Sequence, residues 1–196
     1  ASFGIPIAEL MDSGKPHVQA IVLVPTRELA HQVADELKRL TKYRGLEVVT
    51  LYGGEPIHRQ FARLHDAVQV IVGTPGRIID HLDRGTLRID KVDLAILDEA
   101  DRMLDIGFAP DIRRILRSTP RSRQTALFSA TIPTQIRRLI YSYLHEPDWV
   151  IVGGESEAVP EVEQLYYEGA ERNKASALME IMEDFGDEQI LIFRRT

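Results

Sequence analysis

Val92-Asp93-Leu94-Ala95-Ile96-Leu97-Asp98-Glu99-Ala100-Asp101 decides how the chain is read. An apolar run of this length, bounded by charge, suits a strand buried on both faces of a sheet. Three acidic side chains at its exit need a cation or a partner to offset their desolvation. Folds that hydrolyse nucleotides place an acidic pair at such a strand end, to hold Mg²⁺ and orient a water. The phosphate loop that normally faces such a pair is missing from the sequence. Gly14-Lys15-Pro16 comes nearest, without the earlier glycine or the following hydroxyl.

Five further apolar runs resemble the first: Ala20–Val24, Val48–Tyr52, Val68–Val72, Thr125–Phe128 and Trp149–Val152. Between them lie residues at helical spacing, such as Leu29, Val33, Leu37 and Leu40, and Ile136, Leu139, Ile140, Tyr143 and Leu144. The alternation predicts an α/β fold with a parallel sheet and helices on both faces.

The tail reads differently. The stretch from Gly153 to Glu163 is rich in Gly and Glu and contains Pro160, which predicts a linker over 154–163. Beyond it, Gln164–Glu168 predicts a strand, about Arg172 to Phe185 a helix, and Gln189–Phe193 another strand. Ala175, Leu178, Met179 and Met182 share one face of that helix. One β-α-β unit is too small to bury its own core. Residues 1–153 therefore read as one lobe, and 164–196 as the beginning of a second.

Composition narrows the function. The 196 residues contain no cysteine, which excludes a disulfide framework and thiolate zinc. The histidines show no H-E-x-x-H spacing, and no apolar run is long enough to span a membrane. A cytoplasmic monomer is the expectation. With a net charge of −6, nucleic-acid contact requires a local surface rather than the global field. The arginine-rich stretch from Arg113 to Arg138 reads first as a solvated helix face.

Distinctive residues follow the strand ends. Pro25-Thr26-Arg27-Glu28-Leu29-Ala30 follows the first, Gly53-Gly54 the second, and Gly73-Thr74-Pro75-Gly76-Arg77 the third. Ser129-Ala130-Thr131 follows Thr125–Phe128, and Arg194-Arg195-Thr196 follows the last run. Open α/β sheets bind ligands outside the carboxyl ends of their strands. Thr74 is placed to cap a helix whose first residue is Pro75. The bare helix end and Arg77 then suit a phosphate. Taken alone, Thr74–Arg77 reads first as a plain helix cap, and Gly53-Gly54 and Thr26-Arg27 read also as a turn and a cap. Several along one sheet edge favour a phosphate track. Ser129 and Thr131 are in position to hydrogen-bond Asp101.

This ordered set resembles the first RecA-like lobe of DEAD-box ATP-dependent RNA helicases, and the resemblance covers nearly the whole chain. Leu191-Ile192-Phe193 resembles the first motif strand of that family's second lobe. The resemblance implies ATP and Mg²⁺ as cofactors. Asp98 would hold the metal through water, and Glu99 would polarise the attacking water. Asp101, Ser129 and Thr131 would link nucleotide state to RNA grip. Pro25, Thr26, Arg27, Gly53, Gly54, Thr74, Pro75, Gly76 and Arg77 would line a path for the RNA sugar-phosphate backbone. It also implies that the phosphate loop lies upstream of Ala1 and the arginine fingers beyond Thr196. The chain alone is then expected to show negligible ATP turnover and marginal stability. The alternatives are a non-catalytic RNA-clamping or scaffold module, and an unrelated α/β phosphohydrolase. The intact acidic pair speaks against the first, and the PTRELA and TPGR peptides against the second.

Overall fold

The computed structural model describes residues 2–64, 67–152, 165–186 and 189–193. The chain divides into two compact units, Ala1–Asp148 and Trp149–Thr196.

The first unit is built on a sheet of five strands: β1 (Ala20–Leu23), β2 (Val48–Leu51), β3 (Val70–Gly73), β4 (Leu94–Leu97) and β5 (Gln124–Leu127). All neighbours are parallel, in the order β2-β3-β1-β4-β5. Strands β1 to β4 are buried throughout, as unbroken apolar runs on a doubly covered sheet must be. Strand β5 is an edge strand. Gln124 is exposed and Thr125–Leu127 are half-buried.

Alternate strand residues feed separate cores, because successive side chains point to opposite faces. Ile21, Leu23, Ile71, Ala95 and Leu97 pack with Ile78 and Ile79 of α4 (Pro75–Asp83) and Met103 of α5 (Ala100–Ile106). The same core includes Ile112 and Ile115 of α6 (Ala109–Arg117) and Ile136, Leu139 and Ile140 of α7 (Thr134–Tyr143). On the other face Ala20, Val22, Val70, Val72 and Ile96 pack with Ile7 of α1 (Gly4–Leu10) and Ala30, Ala34 and Leu37 of α2 (Arg27–Thr41). A short helix, α3 (His58–Phe61), follows β2. The expected α/β fold, with a parallel sheet covered on both faces, is what forms.

Among its described residues the second unit contains one helix of more than one turn, α8 (Lys174–Phe185), none of whose residues is buried. Three expected strands are corrected here. Trp149–Val152, residues 165–168 of the segment beginning at Gln164, and Gln189–Phe193 form no strand. A strand needs a neighbour to satisfy its backbone, and an apolar run supplies only half of that requirement. The expected linker 154–163 and Arg194-Arg195-Thr196 lie outside the described residues. No described helix is long and apolar enough to cross a membrane.

Candidate nucleotide and nucleic-acid site

Parallel pairing brings all five candidate peptides to the carboxyl edge of one sheet. The strand order then sorts them. Gly53-Gly54, Thr74–Arg77 and Pro25–Arg27 follow β2, β3 and β1, and so occupy one half of the edge. Asp98–Asp101 and Ser129–Thr131 follow β4 and β5 and occupy the other.

On the acidic half, Asp98 leaves β4 half-buried, and its amide donates to Leu23 O at 2.9 Å. Among the described residues its carboxylate accepts only from the Glu99 amide, at 3.1 Å, and forms no ion pair. Burial, with the Glu99 charge adding to it, raises this carboxyl above the usual aspartate range. Among the described residues, no three His, Asp or Glu side chains converge on one point. A half-buried carboxylate with no ion-pair partner among the described residues suits Mg²⁺, which keeps most of its waters and takes its other ligands from substrate phosphates.

Glu99 adopts left-handed backbone angles, φ 49° and ψ 51°, just before α5. A non-glycine residue held there costs on the order of 1–3 kcal/mol, a strain that concentrates at functional sites. Its carboxylate lies 3.2 Å from Arg102, in an exposed pair of small energetic weight.

Asp101 joins β4 to β5. Its Oδ2 accepts from both the amide and the hydroxyl of Thr131, each at 2.9 Å. Its own amide donates to Ser129 Oγ at 3.3 Å, and that hydroxyl donates to Thr131 O at 2.7 Å. Partial burial pushes the Asp101 carboxyl up. The bonds from Thr131 and the Arg102 amide outweigh it, and the net shift is downward. The pairing expected of Asp101 with Ser129 and Thr131 is present. Ser129 meets the amide, and Thr131 the carboxylate.

The other half forms one connected surface. Thr26 caps α2 by accepting from the Leu29 amide at 3.2 Å. Arg27 leans over the Tyr52 ring, 5.0 Å from its centroid. A Cβ added at Gly54, where φ is +90°, would lie 3.7 Å from Arg27 Nη1. Gly53 and Gly54 are exposed, and neither amide has a partner among the described residues. Thr74 occupies the cap of α4 with Pro75 following, but its hydroxyl makes no capping bond. The first turn of that helix is therefore left open. Pro25 and Pro75 are buried and shape the loops from beneath.

Arg77, expected to contact phosphate, has a side chain only 10% exposed that donates through Nη2 to Glu55 O at 2.9 Å. That bond braces the turn after β2, while Nε and Nη1 meet no hydrogen-bond partner among the described residues.

A polar cluster that the motifs did not announce lies behind this surface. His81 is fully buried on α4, between Gln60 at 3.1 Å and Thr86 at 2.9 Å. The signal was there in its spacing, since His81 stands three residues after Ile78 on the buried side of α4. Burial, then Arg77 and Arg84 against a smaller opposing effect of Asp80, lower its pKa from 6.5 to about 4. The unfolded imidazole takes up its proton near pH 6.5 and the folded one only near 4. Stability is therefore complete above pH 6.5 and drains away as the pH falls toward 4. We expect a loss of about 2–3 kcal/mol across that window. Urea midpoints at pH 7 and 4.5 should show it, and His81→Gln should remove most of the difference. An unchanged slope in the variant would refute the assignment.

The comparisons agree with this geometry. The family model described as DEAD/DEAH box helicase matches residues 1–139. The chain belongs to the DEAD/DEAH box helicase family. It is 45% identical over 196 residues to the DEAD-box ATP-dependent RNA helicase CshA of Geobacillus kaustophilus, covering 100% of this chain and 42% of the relative. The CshA of Bacillus subtilis is 41% identical over the same length, 40% of that protein. Among solved structures, the DEAD box protein of Methanococcus jannaschii matches with a TM-score of 0.73 at 39% identity, over 93% of this chain and 48% of that one. A hypothetical ATP-dependent RNA helicase from Sulfolobus tokodaii gives 0.69 at 36% identity, over 76% and 43%. The DEAD/DEAH box chain thus spans about two fifths of the curated relatives it matches, and its fold is the RecA-like α/β architecture of its family.

Proposed function

We propose that this chain acts as the first lobe of an ATP-dependent RNA helicase, gripping the RNA backbone on one half of its sheet edge and addressing Mg²⁺–ATP on the other. The carrying observation is the sorting of the two residue sets along that edge, with Asp101 and Thr131 bonded beside the acidic pair. In this reading residues 1–153 form the lobe, 154–163 connect it onward, and 164–196 begin a second lobe.

Arg27, Gly53, Gly54, Thr74 and Gly76 line the RNA path. Free glycine amides and the open turn of α4 donate to phosphate oxygens, while Arg27 supplies charge. Such contacts read sugar and phosphate rather than bases, so binding is insensitive to sequence. Asp98 would hold Mg²⁺, which when bound would supply positive charge against the phosphates. Glu99 accepts the proton of the attacking water. Asp101 sits between the acidic pair and the Ser129–Thr131 turn, so a shift on either side is felt on the other. The cellular setting is the cytoplasm, where the chain works as a monomer.

The RNA arm is tested with fluorescently labelled single-stranded RNA. Arg27→Ala should weaken binding about fivefold to tenfold across sequences and reduce the salt slope by about 0.7. A loss confined to one base composition, or none at all, would overturn the backbone path.

A further inference from the structure

Two carbonyls flank the exposed glycine turn, and each is captured by a buried side chain. Tyr52 O accepts from Gln60 Nε2 at 2.9 Å, and Glu55 O accepts from Arg77 Nη2 at 2.9 Å. The first bond begins a longer chain. With its nitrogen spent on Tyr52, Gln60 presents Oε1 to His81 Nε2, 3.1 Å away. An oxygen facing that ring nitrogen requires the Nε2–H form of a neutral imidazole. Nδ1 is then an acceptor, and the Thr86 hydroxyl shares its one proton between that nitrogen, 2.9 Å away, and His81 O at 3.1 Å. From the imidazole the bonds run one way: His81 to Gln60, Gln60 to Tyr52. Gln60 and His81 are each 0% exposed. Phe61 packs edge-on to the imidazole, 5.8 Å between centroids, and closes the cluster.

Tyr52 carries the chain onward. Its ring lies 5.0 Å beneath Arg27 and 4.7 Å from His31, both on α2. Arg27, the glycine turn and α4 are therefore tied through one residue. We propose that Gln60 and His81 are positioning residues that hold the Gly53-Gly54 turn in register with Arg27 and with the start of α4, so that all three present donors along one backbone path. This rests on the RNA reading above. Neither residue touches the ligand. Their fixed hydrogen-bond polarity keeps the Tyr52 carbonyl turned inward, leaving the glycine amides facing out.

The test uses the 196-residue chain, with the NMR amide resonances of Gly53 and Gly54 and affinity for a short labelled oligouridylate. Gln60→Leu should shift and broaden both resonances and weaken RNA binding by the folded protein about fivefold. His81→Gln, which still offers an N–H toward Gln60 Oε1, should keep affinity within about twofold of wild type. Unchanged resonances overturn the proposal. So do displaced resonances with unchanged affinity, the pattern of a merely structural cluster. If the wild-type chain binds no RNA, the function proposed above fails instead, and the resonances alone still decide whether the chain of bonds holds the turn. Should Gln60→Leu not fold, Thr86→Val removes the far link, with the same signs expected and smaller changes.

Discussion

Gly73→Ala is expected to remove about 3 kcal/mol or more of folding stability, the upper end of what overpacking costs. Gly73 closes β3, with β2 on one side and β1 on the other. Its backbone needs no special angle. The difficulty is space. A Cβ there would lie 2.4 Å from Leu51 O and 3.1 Å from Ile78 Cδ1. Leu51 O accepts from the Thr74 amide at 3.0 Å, and Gly73 O accepts from Val24 N at 3.0 Å. Neither carbonyl can retreat without breaking a bond that holds a candidate loop. Ile78 is fully buried and has no room to yield. The methyl must therefore push β2 from β3, or α4 from the sheet. Gly53→Ala is the comparison. Nothing lies within 4 Å of its added Cβ, so its effect should be under about 0.5 kcal/mol. Urea unfolding with a shared slope measures both. A Gly73→Ala protein within about 1 kcal/mol of wild type would mean the close approach relaxes freely.

That crowding shows how far a sequence carries. The order of apolar runs and helical repeats is enough to reach the fold, because a doubly covered parallel sheet leaves its strands uninterrupted. Strand ends drift by a residue or two. Gly73 reads as the start of a loop and proves to be the last residue of β3, since a close approach of backbones leaves no mark in a single sequence. The candidate loops were legible by residue type and position. Their grouping into two halves was not, because that depends on β3 entering between β2 and β1. Arg77 was legible as a cation beside a helix start, but its bond to the turn after β2 was not. Its direction follows from where Glu55 O happens to lie. The Thr86–His81–Gln60–Tyr52 chain was invisible for a related reason. Its members come from separate elements and form no motif. The tail shows the converse, for Trp149–Val152 and Gln189–Phe193 have the composition of strands without a strand neighbour among the described residues.

Glu99→Gln should reduce RNA-stimulated ATP turnover by about 100-fold or more, the range for losing a positioned general base. That corresponds to roughly 2.7 kcal/mol of barrier. The assay is phosphate release by a polypeptide of the relatives' full length that contains this chain. Glutamine preserves size and hydrogen bonding but cannot take a proton. The left-handed backbone at Glu99, φ 49°, aims the side chain independently of its charge, so the amide should occupy the same place. ATP and RNA should still bind, leaving a complex stalled on RNA. Asp98→Asn should fail differently. Loss of its charge should raise the Mg²⁺ concentration needed for nucleotide binding, and the deficit should shrink as Mg²⁺ is added. The pH profile separates them further. Burial holds the Asp98 carboxyl above the ordinary aspartate range. Acid should therefore weaken metal-dependent nucleotide binding at a higher pH than an exposed aspartate would allow, and Asp98→Asn should abolish that limb. Glu99→Gln turnover above about a tenth of wild type would remove Glu99 from the proton-accepting role. Water activation would then have to come from elsewhere in the full-length protein, and Glu99 would be left with strain that serves no chemistry.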